Sequence, residues 1–288
     1  MLYGIAVHGG AGSTEALKDG LQRACERGFS ILKNNGDALS AVVEAVKVLE
    51  DDGRFNAGAG SVLRIDGKTI EMDASLMSSD GRLAMVMAVR DIKNPVLLAK
   101  ALLKTPHLAM AGNGATVFAK RLGLPLHPGP SEKALELHKK VMDFLQKNKA
   151  HELNPLWKEL PQELLSETVG AVALDRNGIF AVASSTGGAI PMLCGRVGDT
   201  PLIGCGFYAG SLGAIAVTGI GEEIIKRLLA LRIYKLIEEG KTVKEAFQEA
   251  IKLFSDEIPV GMIGITKEEI YGISNREMAW ASITDKGP

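Results

Sequence analysis

Cysteine is scarce in this chain, and histidine lacks any metal-binding spacing. Cys25, Cys194 and Cys205 are widely separated and include no CxxC pair, which argues against both a disulfide framework and a cysteine-ligated zinc site. The five histidines form neither an HExxH nor an HxH pattern, so we expect no histidine-ligated transition metal. The cysteines are predicted to be small buried hydrophobic residues.

Net charge and long apolar runs are also lacking. The chain has 33 Lys plus Arg against 34 Asp plus Glu, so no basic excess attracts nucleic acid or an anionic membrane. No apolar run reaches about 20 residues, and the N-terminus shows no basic region followed by an apolar core. We therefore expect a cytoplasmic protein whose partner is a small molecule, with neither nucleic acid nor membrane involved.

Hydrophobic residues, at 46% of 288 residues, are ample for a large core. Strand and helix patterns alternate before about residue 124 and resume at Thr168. The segment between them holds Pro, Lys and Glu but no strand pattern, which predicts a helical, partly mobile connector over about 124–167. Two packed sheets between helix layers would explain the hairpins and amphipathic helices, so we predict one α+β domain over residues 1–288.

Local patterns predict individual elements on both sides of the connector. Asp66-Gly67, and Arg176 to Gly178, are hairpin turn signals between strand-like runs. A continuous helix is expected over residues 222–240, ending at a glycine. Thr242 and Glu245 have the spacing of a capping box that opens another helix.

Glycine clusters lie beside Ser, Thr and Asn at five places: HGGAGS, NAGAGS, SSTGG, GRVGDTPLIGCG and TGIGEE. NAGAGS lacks the Lys of a phosphate-binding loop, and HGGAGS does not match GxGxxG, so dinucleotide binding is disfavoured. Each cluster alone is typical of a tight turn. Five together indicate backbone N–H groups brought close around a small ligand.

The stretch SETVG places a threonine where the connector ends and a strand begins. A threonine hydroxyl is a weak nucleophile without an adjacent base, but an N-terminal threonine carries its own base, the free α-amine. Cleavage between Glu167 and Thr168 would release that amine. From the local sequence alone, the simpler interpretation is a β-branched residue that begins a strand.

Seven motifs occur in order along the chain: HGGAG, NAGAGSV, MDAS, TVGAVALD, SSTGG, GRVGDTPLIGCGFYA and TGIGE. Together they resemble the plant-type asparaginase and isoaspartyl aminopeptidase family of N-terminal-nucleophile hydrolases. The resemblance covers nearly all of the chain except the connector. It implies a four-layer αββα sandwich and a precursor that cleaves itself into an α chain 1–167 and a β chain 168–288, assembled as a dimer of αβ units.

The resemblance assigns catalytic roles to residues in these motifs. Thr168 is implied to be the nucleophile, with its freed α-amine as general base. Thr186 is implied to hydrogen-bond the nucleophile region. The Thr218 hydroxyl and the Gly219 N–H are implied to form the oxyanion hole, and Asn56 to lie near the nucleophile and position water or substrate.

Substrate binding is implied for Arg196, Asp199 and Gly221. Arg196 would bind the α-carboxylate through its planar guanidinium, Asp199 would take the α-ammonium, and Gly221 would leave room beside the amino group. The alternative for Arg196 and Asp199 is an ordinary surface ion pair. His8 follows an apolar strand and is expected to order the glycine turn, not to act as a catalyst.

No cofactor is expected to be required, but the resemblance implies a structural sodium ion held by backbone carbonyls before NAG. The chain offers oxygen ligands, which suit a hard cation. The candidate carbonyls are those of Leu49, Glu50, Asp52, Phe55, Ala57 and Ala59. The alternative is an ordinary acidic helix end.

The implied reaction is hydrolysis of L-asparagine to aspartate and ammonia, of β-aspartyl dipeptides, or of both. Glu167 is a departure, because relatives commonly have glycine there, and its bulk is expected to slow self-cleavage. Within the enzyme class the alternatives are a glycosylasparaginase, which normally has a secretory signal and disulfides, and a threonine protease with long insertions. A further alternative is a non-cleaving homologue that only binds amino acids.

Overall fold

The computed structural model describes residues 3–147 and 168–287, which form eleven β-strands, eight α-helices and two short 3-10 helices. The strands are β1 (Gly4–His8), β2 (Met72–Ser78), β3 (Leu83–Val89), β4 (Ala109–Ala111), β5 (Val169–Leu174), β6 (Phe180–Thr186), β7 (Phe207–Gly210), β8 (Gly213–Gly219), β9 (Val260–Ile265), β10 (Ile270–Ser274) and β11 (Trp280–Thr284). The helices are α1 (Lys18–Lys33), α2 (Ala38–Asp52), α3 (Pro95–Leu102), α4 (Gly112–Arg121), α5 (Glu132–Lys147), α6 (Gly221–Arg227), α7 (Leu229–Glu238) and α8 (Val243–Ile251).

The strands form two sheets. One has seven strands in the order β11-β1-β5-β6-β2-β3-β4, and the other has four in the order β10-β9-β8-β7. Among these strands every pairing is antiparallel except that of β3 with β4. The fold is therefore a mixed α/β arrangement in which antiparallel strand pairing dominates.

Alternation along β1 and β5 explains why these strands are apolar on both faces. Ile5 and Val7 pack into a core shared with α1 and α2, whereas Ala6 packs into a second core with Val172 of β5. That second core includes Ala216 of β8 and lies between the two sheets. Successive side chains of a strand point to opposite faces, so a strand buried on both faces is hydrophobic throughout.

The second sheet has its own helical cover. Ile215 and Val217, on the other face of β8 from Ala216, pack in a third core with residues of α7 and α8, among them Ile233 and Phe247. None of the described helices is long and apolar enough to cross a membrane.

Several predicted elements are confirmed. β5 and β6 pair as an antiparallel hairpin on either side of the Arg176–Gly178 turn. Thr242 accepts a hydrogen bond from the Glu245 backbone N–H, and the Glu245 carboxylate accepts one from the Thr242 N–H, which completes the capping box. The described part of the connector contains helix α5, and residues 148–167 lie outside the described residues.

The prediction of one helix over residues 222–240 is wrong. Helix α6 ends at Arg227, and Leu228 adopts a left-handed conformation with φ 46° before α7 begins. The first N–H groups of α7 find acceptors in another segment: Ala230 N donates to the Cys205 carbonyl at 3.1 Å, and Leu231 N donates to the Gly204 carbonyl at 2.9 Å. Tertiary hydrogen bonds therefore replace those that a continuous helix would make.

The hairpin predicted around Asp66-Gly67 forms only as a turn. Arg64 N donates to the Thr69 carbonyl at 2.8 Å, but sheet pairing begins at Met72. Ile65 N donates instead to the Met192 carbonyl at 2.9 Å. The first arm of the predicted hairpin thus bonds to a distant loop instead of extending a strand.

Candidate active site

Thr168 lies immediately before β5, and its hydroxyl contacts the end of the neighbouring strand. Its Oγ1 donates to Oγ1 of Thr186, the last residue of β6, at 3.1 Å. The Thr186 oxygen also accepts from Gly188 N at 3.0 Å. Because the β5–β6 register pairs Val169 with Ser185, the two threonines are brought together by antiparallel pairing, and the Thr168 hydroxyl has a defined direction.

Asn56 supports the loop that follows Thr186. Its side-chain amide donates to the Gly188 carbonyl, and its backbone carbonyl accepts from Gly187 N at 2.9 Å. The amide oxygen accepts from Val62 N at 3.0 Å. Asn56 is therefore buried next to Thr186, and its hydrogen bonds go to the backbone of Val62, Gly187 and Gly188.

The glycine turn after β1 lies at the same end of the sheet as Thr168. β1 runs antiparallel to β5 with His8 opposite Gly170, so the residues after His8 continue towards the start of β5. There Ala11 N donates to Oγ1 of Thr218, near the end of β8, at 3.3 Å. The buried Thr218 oxygen is used as an acceptor, which leaves its O–H free to donate elsewhere.

His8 is buried beside the start of β5. A β-carbon at Gly170 would lie 2.4 Å from His8 Nε2 and 3.1 Å from the Ala216 β-carbon. Burial lowers the pKa of His8 to about 3, and the backbone of Thr168 opposes that shift. The imidazole is therefore uncharged near neutral pH and packs against Gly170 of β5.

A cation and an anion meet at the start of α6. Arg196 donates from Nε and Nη2 to the two carboxylate oxygens of Glu222, at 2.9 and 2.8 Å. A β-carbon at Gly221 would lie 2.7 Å from Arg196 Nη2 and 2.9 Å from Asp199 Oδ1. Only glycine leaves this space open between the two charged side chains.

Asp199 is buried, and its Oδ2 has no hydrogen-bond partner among the described residues. The pKa of Asp199 is raised to about 7. Burial is the largest cause and the Glu222 and Asp73 carboxylates add to it, while the positive charge of Arg196 opposes the rise. The ion pair of Arg196 is with Glu222 and not with Asp199. Arg196 and Asp199 therefore do not form the surface ion pair given as the alternative. The buried Asp199 keeps one carboxylate oxygen without a hydrogen-bond partner among the described residues.

Asp73 connects the two groups of residues. It lies opposite Thr186 in the β2–β6 register, and its Oδ1 accepts from Ala88 N at 2.8 Å. Burial raises the pKa of Asp73 to about 6, and the positive charges of Arg64 and Arg196 oppose the rise. Asp73 therefore lies beside Thr186 and carries a carboxyl group whose ionisation is favoured by the charge of Arg196.

Glu222 and Asp73 are the residues that sequence reasoning missed. Both lie inside the motifs TGIGE and MDAS, and Asp73 is the charged residue of β2. An acid within a strand indicates a buried polar group, but Thr186, which lies opposite Asp73 in the sheet, is far away in sequence. Glu167, the residue before the expected cleavage point, lies outside the described residues.

The loop expected to hold sodium joins α2 to the short 3-10 helix Gly58–Gly60. A β-carbon at Gly60 would lie 2.1 Å from the Phe55 carbonyl oxygen, and one at Gly58 would lie 2.5 Å from the Glu50 carbonyl oxygen. These carbonyls therefore turn into the loop. The Phe55 and Ala57 carbonyls each accept one backbone N–H and keep a second lone pair.

Carbonyl oxygens are the ligand type that hard cations prefer, so the donor set of this loop fits the expected ion. The glycine contacts concern the Glu50 and Phe55 carbonyls. Leu49 and Asp52 lie in the last turn of α2, and Ala59 lies in the 3-10 helix. Among the described residues, no group of three His, Cys, Asp or Glu side chains is placed to hold a metal.

Comparisons with known proteins cover nearly the whole chain. A family model described as Asparaginase matches residues 1–287. The chain is 42% identical to an isoaspartyl peptidase/L-asparaginase of Mus musculus, over 97% of this chain and 87% of that protein. It is 38% identical to the protein of the same name from Homo sapiens, over 98% and 93%, and 38% identical to a plant-type L-asparaginase of Pyrobaculum calidifontis, over 96% and 95%.

Proposed function

The chain belongs to the asparaginase family, and we propose on that premise that it is a hydrolase which releases aspartate from L-asparagine, from β-aspartyl dipeptides, or from both. The observation that carries the assignment is the Thr168 hydroxyl, which lies at the start of β5 and donates to Thr186 at the end of β6. Arg196 and the buried Asp199 flank Gly221, two residues after Gly219. A nucleophile in one site with a cation and a separate buried carboxylate suits a substrate with an amino-acid head group.

The nucleophile becomes active through self-cleavage. We infer that Thr168 Oγ1 attacks the carbonyl carbon of Glu167, so that the peptide bond breaks, an ester to Oγ1 forms and the Thr168 nitrogen takes up the proton. Water then hydrolyses this ester, which releases chains 1–167 and 168–288 and restores the Thr168 hydroxyl. The freed α-amine of Thr168 then stands beside its own hydroxyl and serves as general base. The bulk of Glu167 slows this step relative to a glycine.

Turnover proceeds in two halves. Thr168 Oγ1 attacks the side-chain amide carbon of the substrate while the α-amine takes the hydroxyl proton and passes it to the leaving nitrogen. The carbon–nitrogen bond breaks, and ammonia or an amino acid leaves. Water then attacks the β-aspartyl ester, with the α-amine again as base, and aspartate is released.

Charge that develops on the amide oxygen is stabilised by two donors. The Thr218 oxygen uses a lone pair to accept the Ala11 N–H, so its own O–H proton can be donated to the oxyanion. The Gly219 N–H is the second donor. Both lie at the end of β8, on the same side as the start of β5. Donors fixed in advance at the position of the oxyanion lower the barrier.

The substrate head group is held by the residues around Gly221. Arg196, oriented by Glu222, binds the α-carboxylate, and Asp199 accepts from the α-ammonium. The space above Gly221, which a β-carbon would fill, receives the amino group. Asn56 acts through the Gly187–Gly188 backbone that it supports.

Further structural features belong to the same proposal. The three cores, one between the sheets and one on the outer face of each, support a four-layer αββα sandwich formed as a single domain. The carbonyl-lined loop before Asn56 is proposed to hold a sodium ion that orders this loop. A dimer of αβ units and a cytoplasmic location stay predictions from the sequence.

Denaturing mass spectrometry after prolonged incubation, combined with an ammonia assay on L-asparagine, tests the proposal. We expect two fragments separated between Glu167 and Thr168, and ammonia release in proportion to the fraction cleaved. Competition between L-asparagine and a β-aspartyl dipeptide ranks the two substrates. A single 30.6 kDa species with no ammonia release would instead support a non-cleaving binding protein.

The raised pKa of Asp199 predicts a pH dependence of substrate capture. Its carboxyl group is neutral below about pH 7 and ionised above, and only the ionised form attracts the α-ammonium. We therefore expect kcat/KM for L-asparagine to rise between about pH 6 and about pH 8, where deprotonation of the Thr168 α-amine adds to the rise.

Succinamate separates the two contributions because it is asparagine without the α-amino group. Its profile should reflect the Thr168 amine alone and rise less steeply than that of L-asparagine. Profiles of the same shape for both substrates would show that ionisation of Asp199 does not control binding.

A further inference from the structure

A buried ion pair lies behind the candidate site. Arg64 Nε donates to Glu71 Oε2 at 3.1 Å, and Arg64 Nη2 donates to the Glu71 backbone carbonyl at 2.8 Å. The two side chains are 0% and 3% exposed. Taking two charges out of water is costly, and buried pairs can often be replaced by apolar residues without loss of stability. Stability alone is therefore a weak reason for this pair.

Each partner also bonds to the backbone of a different part of the site. Arg64 Nη1 donates to the Gly187 carbonyl at 2.8 Å. Glu71 Oε2 accepts from Gly195 N at 2.6 Å. Gly187 follows Thr186, and Gly195 precedes Arg196. The pair thus joins the nucleophile side of the site to the side that would bind the substrate carboxylate.

The segment between these two glycines has no helix or strand of its own. Further contacts also hold it: the Met192 carbonyl accepts from Ile65 N at 2.9 Å, and the Gly188 carbonyl accepts from the Asn56 side-chain amide. Gly195 is exposed, so its N–H could be satisfied by water. Its hydrogen bond to the buried Glu71 carboxylate therefore does more than satisfy the N–H group, because it fixes the position of the backbone just before Arg196.

Glu71 remains ionised in this position. Burial acts to raise its pKa, but hydrogen bonds from Gly195 N, Arg90 and Arg64 outweigh burial and lower the pKa overall. Arg90 bonds to the second carboxylate oxygen from the solvent side. Glu71 is thus held between an inner and an outer arginine, with one oxygen directed at Gly195.

We propose that Arg64 and Glu71 are positioning residues that set the distance between the Thr168–Thr186 hydroxyl pair and the Arg196 guanidinium. The inference rests on the proposed function, in which the substrate is held by its head group while Thr168 attacks its side-chain amide. The reacting carbon then lies correctly only if the two sides keep their spacing. A misplacement of about 1 Å can cost about a hundredfold in rate.

The variant Arg64→Met/Glu71→Leu tests the proposal because it removes the contacts with Gly187 and Gly195 and takes away both charges of the pair, so that neither partner is left buried without the other. The head-group residues keep their own contacts through Glu222, so the inhibition constant of L-aspartate should stay within about threefold of the wild type. The kcat per cleaved site should fall by about tenfold to a hundredfold. A pair that merely stabilised the fold would not separate these two quantities.

Asp175→Asn is the matched control. Asp175 is also a buried carboxylate, and it accepts from Ala38 N at 3.0 Å, but it follows β5 at the opposite end from Thr168. Its substitution should leave both kcat and aspartate inhibition unchanged. An unchanged kcat in the double variant, or loss of aspartate inhibition together with kcat, would overturn the positioning role.

Glu71→Gln decides the matter if the double variant does not fold or does not cleave itself. It keeps the side-chain volume but weakens the contact with Gly195, so kcat should fall severalfold with the same aspartate inhibition; wild-type kcat would overturn the inference. If the wild-type protein itself neither cleaves nor releases ammonia, the proposed function fails. If the wild type is active and both variants match it, only the positioning role fails.

Discussion

Thr168→Ala is expected to leave a single 30.6 kDa chain that releases no ammonia from L-asparagine. The substitution removes the oxygen that attacks the preceding carbonyl in self-cleavage and the substrate amide in turnover. It also prevents release of the α-amine, which is the proposed base. Because nucleophile and base are lost together, residual turnover should be undetectable.

The measurement is denaturing mass spectrometry and an ammonia assay on the same preparation. Thr168→Ser keeps a hydroxyl and should still cleave. Thr266→Ala is a control for the loss of a buried threonine: Thr266 bonds to the backbone of the turn between β9 and β10, away from the site, and its loss should leave cleavage and turnover intact. Two fragments from Thr168→Ala would show that another residue performs the cleavage.

Thr218→Val is expected to lower kcat by about a hundredfold to a thousandfold, with little change in KM. Valine has nearly the shape of threonine but cannot donate to the oxyanion, so the loss falls on the transition state. The Ala11 N–H also loses its acceptor, which should cost about 1 kcal/mol or more of stability. Denaturation of the cleaved variant measures the loss of stability, and kinetics on the same cleaved preparation measure the loss of turnover. The two effects are thereby obtained separately.

Steady-state kinetics, scaled to the cleaved fraction, measure the effect. Thr218→Ser retains the donor and should stay within about tenfold of the wild type. A Thr218→Val enzyme with wild-type kcat would place the oxyanion elsewhere. A large rise in KM at constant kcat would mean that Thr218 binds the ground state instead.

Local patterns predict elements well where neighbours in sequence are also the bonding partners. The Thr242–Glu245 capping box and the β5–β6 hairpin are short-range structures, and both form as predicted. The break at Leu228 is different. It depends on carbonyls of Gly204 and Cys205 that accept the first N–H groups of α7, and no periodicity within residues 222–240 reveals those acceptors.

The candidate site shows the same division. Arg196, Asp199 and Gly221 can be selected from motifs, and the structure places them together. Glu222 as the ion-pair partner of Arg196, and Asp73 as the acid beside Thr186, were not predicted. Each contact joins two segments that are distant in the chain, and the sequence does not reveal that these segments are close in space.

The sequence by itself determined the residue types and their order: a threonine at a linker-to-strand boundary, glycine turns beside hydroxyl residues, and an Arg–Asp pair in one motif. Only the tertiary structure decided which of them meet. It paired Thr168 with Thr186, turned Arg196 to Glu222, and joined both sides through Arg64 and Glu71. The physical reason is that composition and periodicity follow from local propensity, whereas hydrogen bonds between distant segments depend on how strands pair and sheets pack.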